Sequence, residues 1–467
     1  MSKKIVGFSM TSLFPDISIA GAEMQLKKIS MHLGELGHQV TIYTTPLEGS
    51  RTPFKWHENI EVLPVLRFKQ PYPEPYLTPL YHIANAMREI GAAFAEADVH
   101  YSHDGSLIFP YVHQDIPTVI SLRTIIYPEP VMSAFLFQGD EWILPSQHTR
   151  ASYEAAVGQF APQVGERMHA IHNGFDWDFF RYTKPRDIFE FIPREVADHP
   201  VVLFPHRPDV NKGIFDVVQV AEKLVNDYGW RDLRVLVPLW PGVSKEPKYV
   251  NYYDQLKRRI NELCLSEIFV FHEWISEAYI PEYYSLADVS LCIGNIIETF
   301  GNAVFESLGC GTPAVVSRVA TYRELLPEEH IDSIDYGEID RAAAIAHSIL
   351  SERRRTSPET LSYLRAEFSH EAMVNSYADI ILNAVKKPPL NYRVPQLTEN
   401  TTYRMAPWCY ISPARGIYHD FLSTFAVDEE LVQLTKAMPA GFNGDAVDPK
   451  RLRAWLDDGY IVPIITT

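Results

Sequence analysis

Four charged side chains stand in loops of the kind that hold a phosphorylated ligand. Two are cations five positions apart, Arg207 and Lys212, in the segment HRPDVNKG at 206–213. Two are carboxylates eight positions apart, Glu298 and Glu306, in ETFGNAVFESLGCGTPAVVS at 298–317. Gly301 lies between the carboxylates, and the chain turns into a helix near Asn302, so Glu306 falls roughly one turn inside that helix. The free N–H groups of a first helical turn, with the helix dipole, favour a phosphate there. A glycine without Cβ lets a ligand approach the backbone closely. From one turn in, a carboxylate accepts hydrogen bonds from both hydroxyls of a ribose, and one in the loop reaches hydroxyls beyond the phosphates. The spacing fits a nucleoside diphosphate carrying a sugar. The cation pair suits the same ligand, because a departing diphosphate concentrates negative charge that fixed cations stabilise in a closed site. Two glutamates so spaced are common on exposed helices; the glycine, the aromatic residue and the small-residue run between and after them give the pair its meaning.

Alternating strands and helices must position these loops. KIVGFSM reads as an apolar strand, and Leu26, Ile29, Leu33 and Leu36 then recur at helical spacing until Gly37, before the strand QVTIYT. DVHYSH, PTVISL and DEWILPS continue the series. A second series starts near 200 with VVLFP, the loop carrying Arg207 and Lys212, the helix IFDVVQVAEKLVND and the strand LRVLVPL. It proceeds through a helix near 251–263, the strands IFVFHE and SLCIG, and the carboxylate-bearing segment. Such alternation specifies parallel sheets covered by helices, with ligands at the carboxyl ends of the strands. After the proline-rich KKPPLNYRVPQL, the tail reads as two short helices, DEELVQLTKAM and PKRLRAWLDD, and a closing strand, a pattern compatible with a winged-helix-like module.

Composition narrows the function classes. The chain has 467 residues, enough for two or three domains, and a formal charge of −17. That balance argues against binding nucleic acid or an anionic membrane by bulk charge. No stretch approaches the roughly 18 apolar residues of a membrane span. The opening MSKKIVGFSM reads as a strand rather than a signal peptide. Four scattered cysteines form no C-x-x-C pair and read as reduced thiols, which together with the missing leader leads us to expect a cytoplasmic protein.

The segment 298–317 closely resembles the E-x₇-E signature of the retaining glycosyltransferases of the large family-four (glycosyl transferases group 1) kind. GAE at 21–23 resembles that family's N-terminal glycine loop, PSQHTRASY its serine-led segment, and IHNGFDWDFF its N-G-V-D-x-x-x-F. HRPDVNKGIFDVVQVAEKL resembles its G-R-x-x-x-x-K-G, and FSHEAMVNSYADIIL its last helix. The resemblance runs from about residue 3 to 387, with its motifs in order. It implies a GT-B α/β fold of two Rossmann-like domains facing a cleft. These are an acceptor-binding domain at 1–185 and a nucleotide-sugar domain at 186–387, whose last helix crosses back, with an extension at 388–467.

It further implies transfer of a sugar from a nucleoside-diphosphate donor to a hydroxyl acceptor, soluble or carrier-linked, with retained configuration and without a metal or other cofactor. Arg207, Lys212 and Glu298 would be the catalytic residues. Gly21, Asn173, Phe300, Gly301, Asn302, Ala303 and Glu306 would bind the donor, with Trp274 in a base-recognition loop beside Glu273. Three positions depart from the family pattern. Arg123 stands where the family has a histidine over the sugar, making it a contact for the sugar or for an anionic acceptor. Asn302-Ala303 replaces Leu-Pro, and Ala20 replaces a glycine, leaving Gly21 to admit the phosphates. Asp176 and Asp178 form an Asp-x-Asp pair of the sort that ligates hard cations elsewhere, but Asp176 is expected to cap its own loop. His103, His172, His206 and His272 fall at strand ends without the spacing of a triad or a zinc site. Two other classes compete: a nucleotide-dependent oxidoreductase, for which SIAGAE lacks G-x-G-x-x-G, and an inactive scaffold that binds a partner through its tail. For the extension itself, homo-oligomerisation, acceptor docking and capping of the cleft all fit the sequence.

Overall fold

The structure, a computed structural model, describes every residue except 1, 16–20, 47–50, 71–73, 105–114, 137–138, 242–246 and 466–467. Ala20 therefore lies outside the described residues. The first sheet is built from β1 (Lys4–Phe8), β2 (Gln39–Tyr43), β3 (Phe54–His57), β4 (Ile60–Leu63), β5 (Val99–His103), β6 (Thr118–Ser121), β7 (Glu141–Leu144) and β8 (Met168–Ala170). Its order is β3-β4-β2-β1-β5-β6-β7-β8, parallel except for the β3–β4 pair. The second sheet contains β9 (Val201–Leu203), β10 (Arg234–Pro238), β11 (Phe269–His272), β12 (Val289–Cys292), β13 (Ala314–Ser317) and β14 (Asp332–Ile334). All its pairings are parallel, in the order β11-β10-β9-β12-β13-β14.

Each central strand is a short apolar run buried throughout, as VSLC and AVVS are, which is what helices on both faces of a parallel sheet demand. The chain leaves β9 toward one edge and returns at β12 toward the other, so the loops after these strands open side by side into a crevice at the switch point. The loop after β9 carries Arg207 and Lys212, and the loop after β12 carries Glu298.

Helix Gly21–Glu35 buries Leu26, Ile29 and Leu33 on the first sheet, whereas Leu36 falls past its last residue and is exposed. The helix His370–Asn383 starts at Ser369, whose hydroxyl accepts from the Ala372 N–H. Its Met373, Val374, Tyr377, Ala378 and Ile381 pack with Leu26, Ile29 and Leu33 of the first domain. The chain that begins in the second domain thus ends against the first.

The tail corrects the winged-helix expectation. The two helices, Glu429–Ala437 and Pro449–Asp457, and the closing strand lie where the sequence placed them. Around them stand β15 (Thr402–Met405), β16 (Cys409–Ser412), β17 (Gly416–His419), β18 (Thr424–Ala426), β19 (Phe442–Asn443) and β20 (Ile461–Ile464), which form two three-stranded antiparallel sheets, β19-β15-β20 and β16-β17-β18. These strands are two to four residues long, too short for a period-two pattern to be visible beforehand. The cysteines are all free thiols.

Candidate active site

Two glycines bring the cation loop and the carboxylate loop into contact. Gly213 has a φ of 90°, and a Cβ on it would collide with the backbone of Gly294. A Cβ on Gly294 would in turn strike the backbone of Asn211 and Lys212. With neither side chain present, the Ile296 N–H donates to the Asn211 carbonyl at 2.9 Å, and Lys212 pairs directly with Glu298. Asp209 shapes the same loop by accepting from the Asn211 N–H at 3.0 Å. Arg207, exposed at the mouth, donates through Nη2 to the Tyr127 hydroxyl at 2.6 Å, across from the first domain.

Helix Asn302–Gly309 opens on Gly301, whose φ of 84° is left-handed and whose missing Cβ leaves room for the Tyr322 ring. Gly301, Asn302 and Ala303 line a cavity of about 400 Å³ together with Arg207, Lys212, Glu298 and Phe300. From the first domain Gly21, Arg123, Tyr127 and Asn173 line the same space. A chain of hydrogen bonds crosses the cleft here. Arg123 donates to Asn173 Oδ1, and Asn173 Nδ2 donates to Asn302 Oδ1 at 2.8 Å. Thr299 closes the loop by donating its hydroxyl to the Arg123 carbonyl at 2.6 Å.

Two of the sequence-derived donor residues lie outside this cavity. Glu306 is half-buried one turn down the helix and accepts from the Tyr284 hydroxyl at 3.0 Å. Burial pushes its carboxyl up to about 7; the Tyr284 bond and Lys28 oppose the rise, and Glu277 adds to it. Trp274 is 41% exposed and meets Trp240 edge to face at 5.1 Å, beyond the ends of β11 and β10. The two indoles form one aromatic corner at the carboxyl edge of the sheet.

Residues 185–356 match the family model described as glycosyl transferases group 1, and residues 19–179 match the glycosyltransferase family 4 model. The chain belongs to the GT-B glycosyltransferases. A D-inositol 3-phosphate glycosyltransferase of Xylanimonas cellulosilytica is 25% identical over 187 residues, 39% of this chain and 42% of the relative. A GDP-mannose-dependent alpha-(1-6)-phosphatidylinositol dimannoside mannosyltransferase of Mycobacterium tuberculosis is 46% identical over 63 residues, 14% of this chain and 15% of that protein. The matched segments thus span less than half the length of these relatives. Among solved structures, Anabaena HepE in complex with UDP and glucose superposes with a TM-score of 0.62 at 19% identity, covering 81% of this chain and 99% of that one. Sucrose-phosphate synthase from Thermosynechococcus elongatus gives 0.61 at 16% identity, covering 81% and 98%.

Several other polar residues singled out in the sequence have structural partners. Asp176 accepts from the N–H groups of Asp178 and Phe179, capping its own turn, and among the described residues no three His, Cys, Asp or Glu side chains gather as a metal set. His272 bonds the Tyr283 hydroxyl and the Glu273 carbonyl, and His103 bonds the Tyr101 hydroxyl. Burial, with Lys212 and Arg207 adding to it, holds His206 well below its ordinary pKa, so it stays neutral. His172 stacks on Phe368. Sequence reasoning missed Tyr127, Lys28, Tyr322 and Tyr377. Tyr127 had one signal, its place in the loop after β6, at the edge where ligands bind. Lys28 had none, since a lysine on an amphipathic helix reads as solvated.

Proposed function

We propose that the protein transfers a sugar from a nucleoside-diphosphate donor to a hydroxyl acceptor with retention of anomeric configuration. The observation that carries this is the convergence of Arg207, Lys212 and Glu298 on one cavity at the switch point of the second sheet. The relatives' names point the same way, with GDP-mannose in one and UDP with glucose in another. In this reading Lys212 and Arg207 hold the diphosphate and stabilise the charge on its departing oxygen, the role a metal fills elsewhere, so none is required. Glu298 and the backbone at 300–303 take the sugar hydroxyls, Glu306 the ribose, and the corner near Trp274 the base. The departing phosphate oxygen takes the acceptor's proton on the face it leaves, so no protein nucleophile is needed.

A thermal-shift screen of UDP-, GDP-, ADP- and TDP-sugars tests the donor, since a ligand at about 100 times its Kd stabilises the fold by roughly 2.7 kcal/mol. Lys212→Ala should then lower kcat/KM at least roughly a hundredfold. An unchanged rate removes Lys212 from the mechanism. Proton NMR of the product's anomeric coupling decides between retention and inversion.

A further inference from the structure

Arg123 leaves the carboxyl end of β6 and lines the same cavity from the first domain. A guanidinium carries five N–H donors. Two are spent, one from Nη1 to the Tyr377 hydroxyl at 2.9 Å and one from Nη2 to Asn173 Oδ1. Both partners are neutral. Among the described residues no carboxylate pairs with this half-buried cation. The other two cations of the cavity differ: Lys212 is neutralised by Glu298, and Arg207 reaches a phenol at the exposed mouth. Tyr377 and Asn173 also fix the guanidinium's orientation, Tyr377 being fully buried and Asn173 held in turn by Asn302. The other three N–H donors make no hydrogen bond among the described residues, and the side chain lines the cavity with Thr299 and Asn302.

A planar fork of that kind matches a carboxylate or a phosphate by two parallel bonds. A charge partly withdrawn from water attracts such a group more strongly than an exposed lysine would. The diphosphate does not call for Arg123, because in this reading Arg207 and Lys212 already serve its phosphates. We infer that the sugar side of this cavity takes a second negatively charged group, a carboxylate or phosphate on the transferred sugar or on the acceptor, and that Arg123 selects it. The inference rests on the glycosyl-transfer reading and adds the substrate class to it.

The test uses the full chain, wild type and Arg123→Gln, in calorimetric titrations. The donor arm compares UDP-glucuronate with UDP-glucose and GDP-mannuronate with GDP-mannose. The acceptor arm compares glucose 6-phosphate with glucose in the presence of UDP or GDP. Wild type should prefer the anionic member of one arm by about tenfold or more, the worth of a charge-assisted pair. Arg123→Gln should erase that preference and leave the affinity for the bare nucleotide within about twofold; the arm that responds identifies which substrate bears the charge. Arg123→Lys keeps the charge without the fork and should retain part of the preference. The wild-type comparison stands even if a variant folds poorly. A wild type that binds nucleotide but is indifferent to the anionic group in both arms overturns the inference alone. So does an Arg123→Gln that weakens the bare nucleotide as much as Arg207→Gln does. A wild type that binds no nucleotide overturns the glycosyl-transfer reading and this inference together.

Discussion

Glu306 offers a prediction in which stability and binding move in opposite directions. Its carboxyl is raised from the ordinary 4.5 to about 7, chiefly by burial. At about 1.4 kcal/mol for each tenfold change in proton affinity, that rise corresponds to an upper bound of about 3 kcal/mol. The residue is partly exposed and Lys28 faces it, so solvent and the lysine screen the charge; about 1–2 kcal/mol is the reasonable expectation. The sign follows from linkage. The folded protein holds this proton more tightly than the unfolded chain, so the group's stabilising effect is complete below pH 4.5. It falls as pH rises from 4.5 through 7, and is gone above that. Glu306→Gln imitates the protonated form at every pH and still accepts the bond from Tyr284. The variant should match wild type near pH 4 and exceed it by about 1–2 kcal/mol at pH 8. Denaturant titrations across that range measure the difference. Donor binding should show the reverse. A ribose wants the ionised carboxylate, so wild-type affinity rises as pH climbs through 7. The variant loses charge-assisted bonds and binds about ten- to a hundredfold more weakly at pH 8. Parallel stability curves at all pH values would refute the burial argument, and an unchanged donor affinity would refute the ribose role.

Three further perturbations follow from contacts in the structure. Gly301→Ala places a Cβ at a left-handed φ and against Tyr322, so it should cost about 2–4 kcal/mol and weaken the donor; unaltered unfolding would show that the loop relaxes freely. Tyr127→Phe removes the hydroxyl that accepts from Arg207, so the guanidinium no longer exchanges one partner for another, and nucleotide affinity should rise about two- to fivefold. Weaker binding would instead make Tyr127 a ligand contact. Asp420→Asn breaks a buried two-bond pair with Arg323 at 2.7 and 2.8 Å, with an expected loss of about 3 kcal/mol by denaturant titration; a loss below 1 kcal/mol would mean the pair is dispensable.

What could be read from the sequence divides along physical lines. β9, β12 and the helix at Asn302 are local features, announced by apolar runs and a glycine, and their loops converge because a doubly wound sheet has one switch point. That is why Lys212 and Glu298, 86 positions apart, were legible as members of one site, though their direct pairing was not. The chain from Arg123 to Asn173 to Asn302 spans separations of 50 and 129 positions and joins two domains by side-chain amides. No periodicity encodes such a contact. The same holds for Lys28, whose environment is set chiefly by burial, then by Glu277 and Glu306 from the opposite domain and by Asp176 from its own. Trp274 was placed in a loop at the right edge of the sheet, but its partner Trp240 comes from the neighbouring strand's end, and adjacency of β10 and β11 is a matter of topology.

The extension was legible in two helices and illegible in its purpose, and its contacts now constrain that purpose. Asp420 sits in the β17–β18 turn, 1% exposed, and takes both guanidinium nitrogens of Arg323 as well as the N–H of Ala320. Ala320 has a φ of 49°, a left-handed conformation that a residue with a Cβ adopts only when its surroundings hold it there. The turn so fixed presents Tyr322 to Gly301 at the mouth of the donor helix. Asp335 of the second domain accepts from Tyr410 and Ser412, while Ala155 of the first domain joins the extension's own core. The extension is therefore anchored to both halves of the cleft, and removing 388–467 would strand Arg323 without its counter-ion and release the turn behind the donor loop. A truncation consequently reports on stability and on the donor site at once. Acceptor docking has to be probed instead by substitutions on the extension's exposed side chains, such as Phe421 and Leu422, judged by whether acceptor KM moves while donor affinity stays fixed.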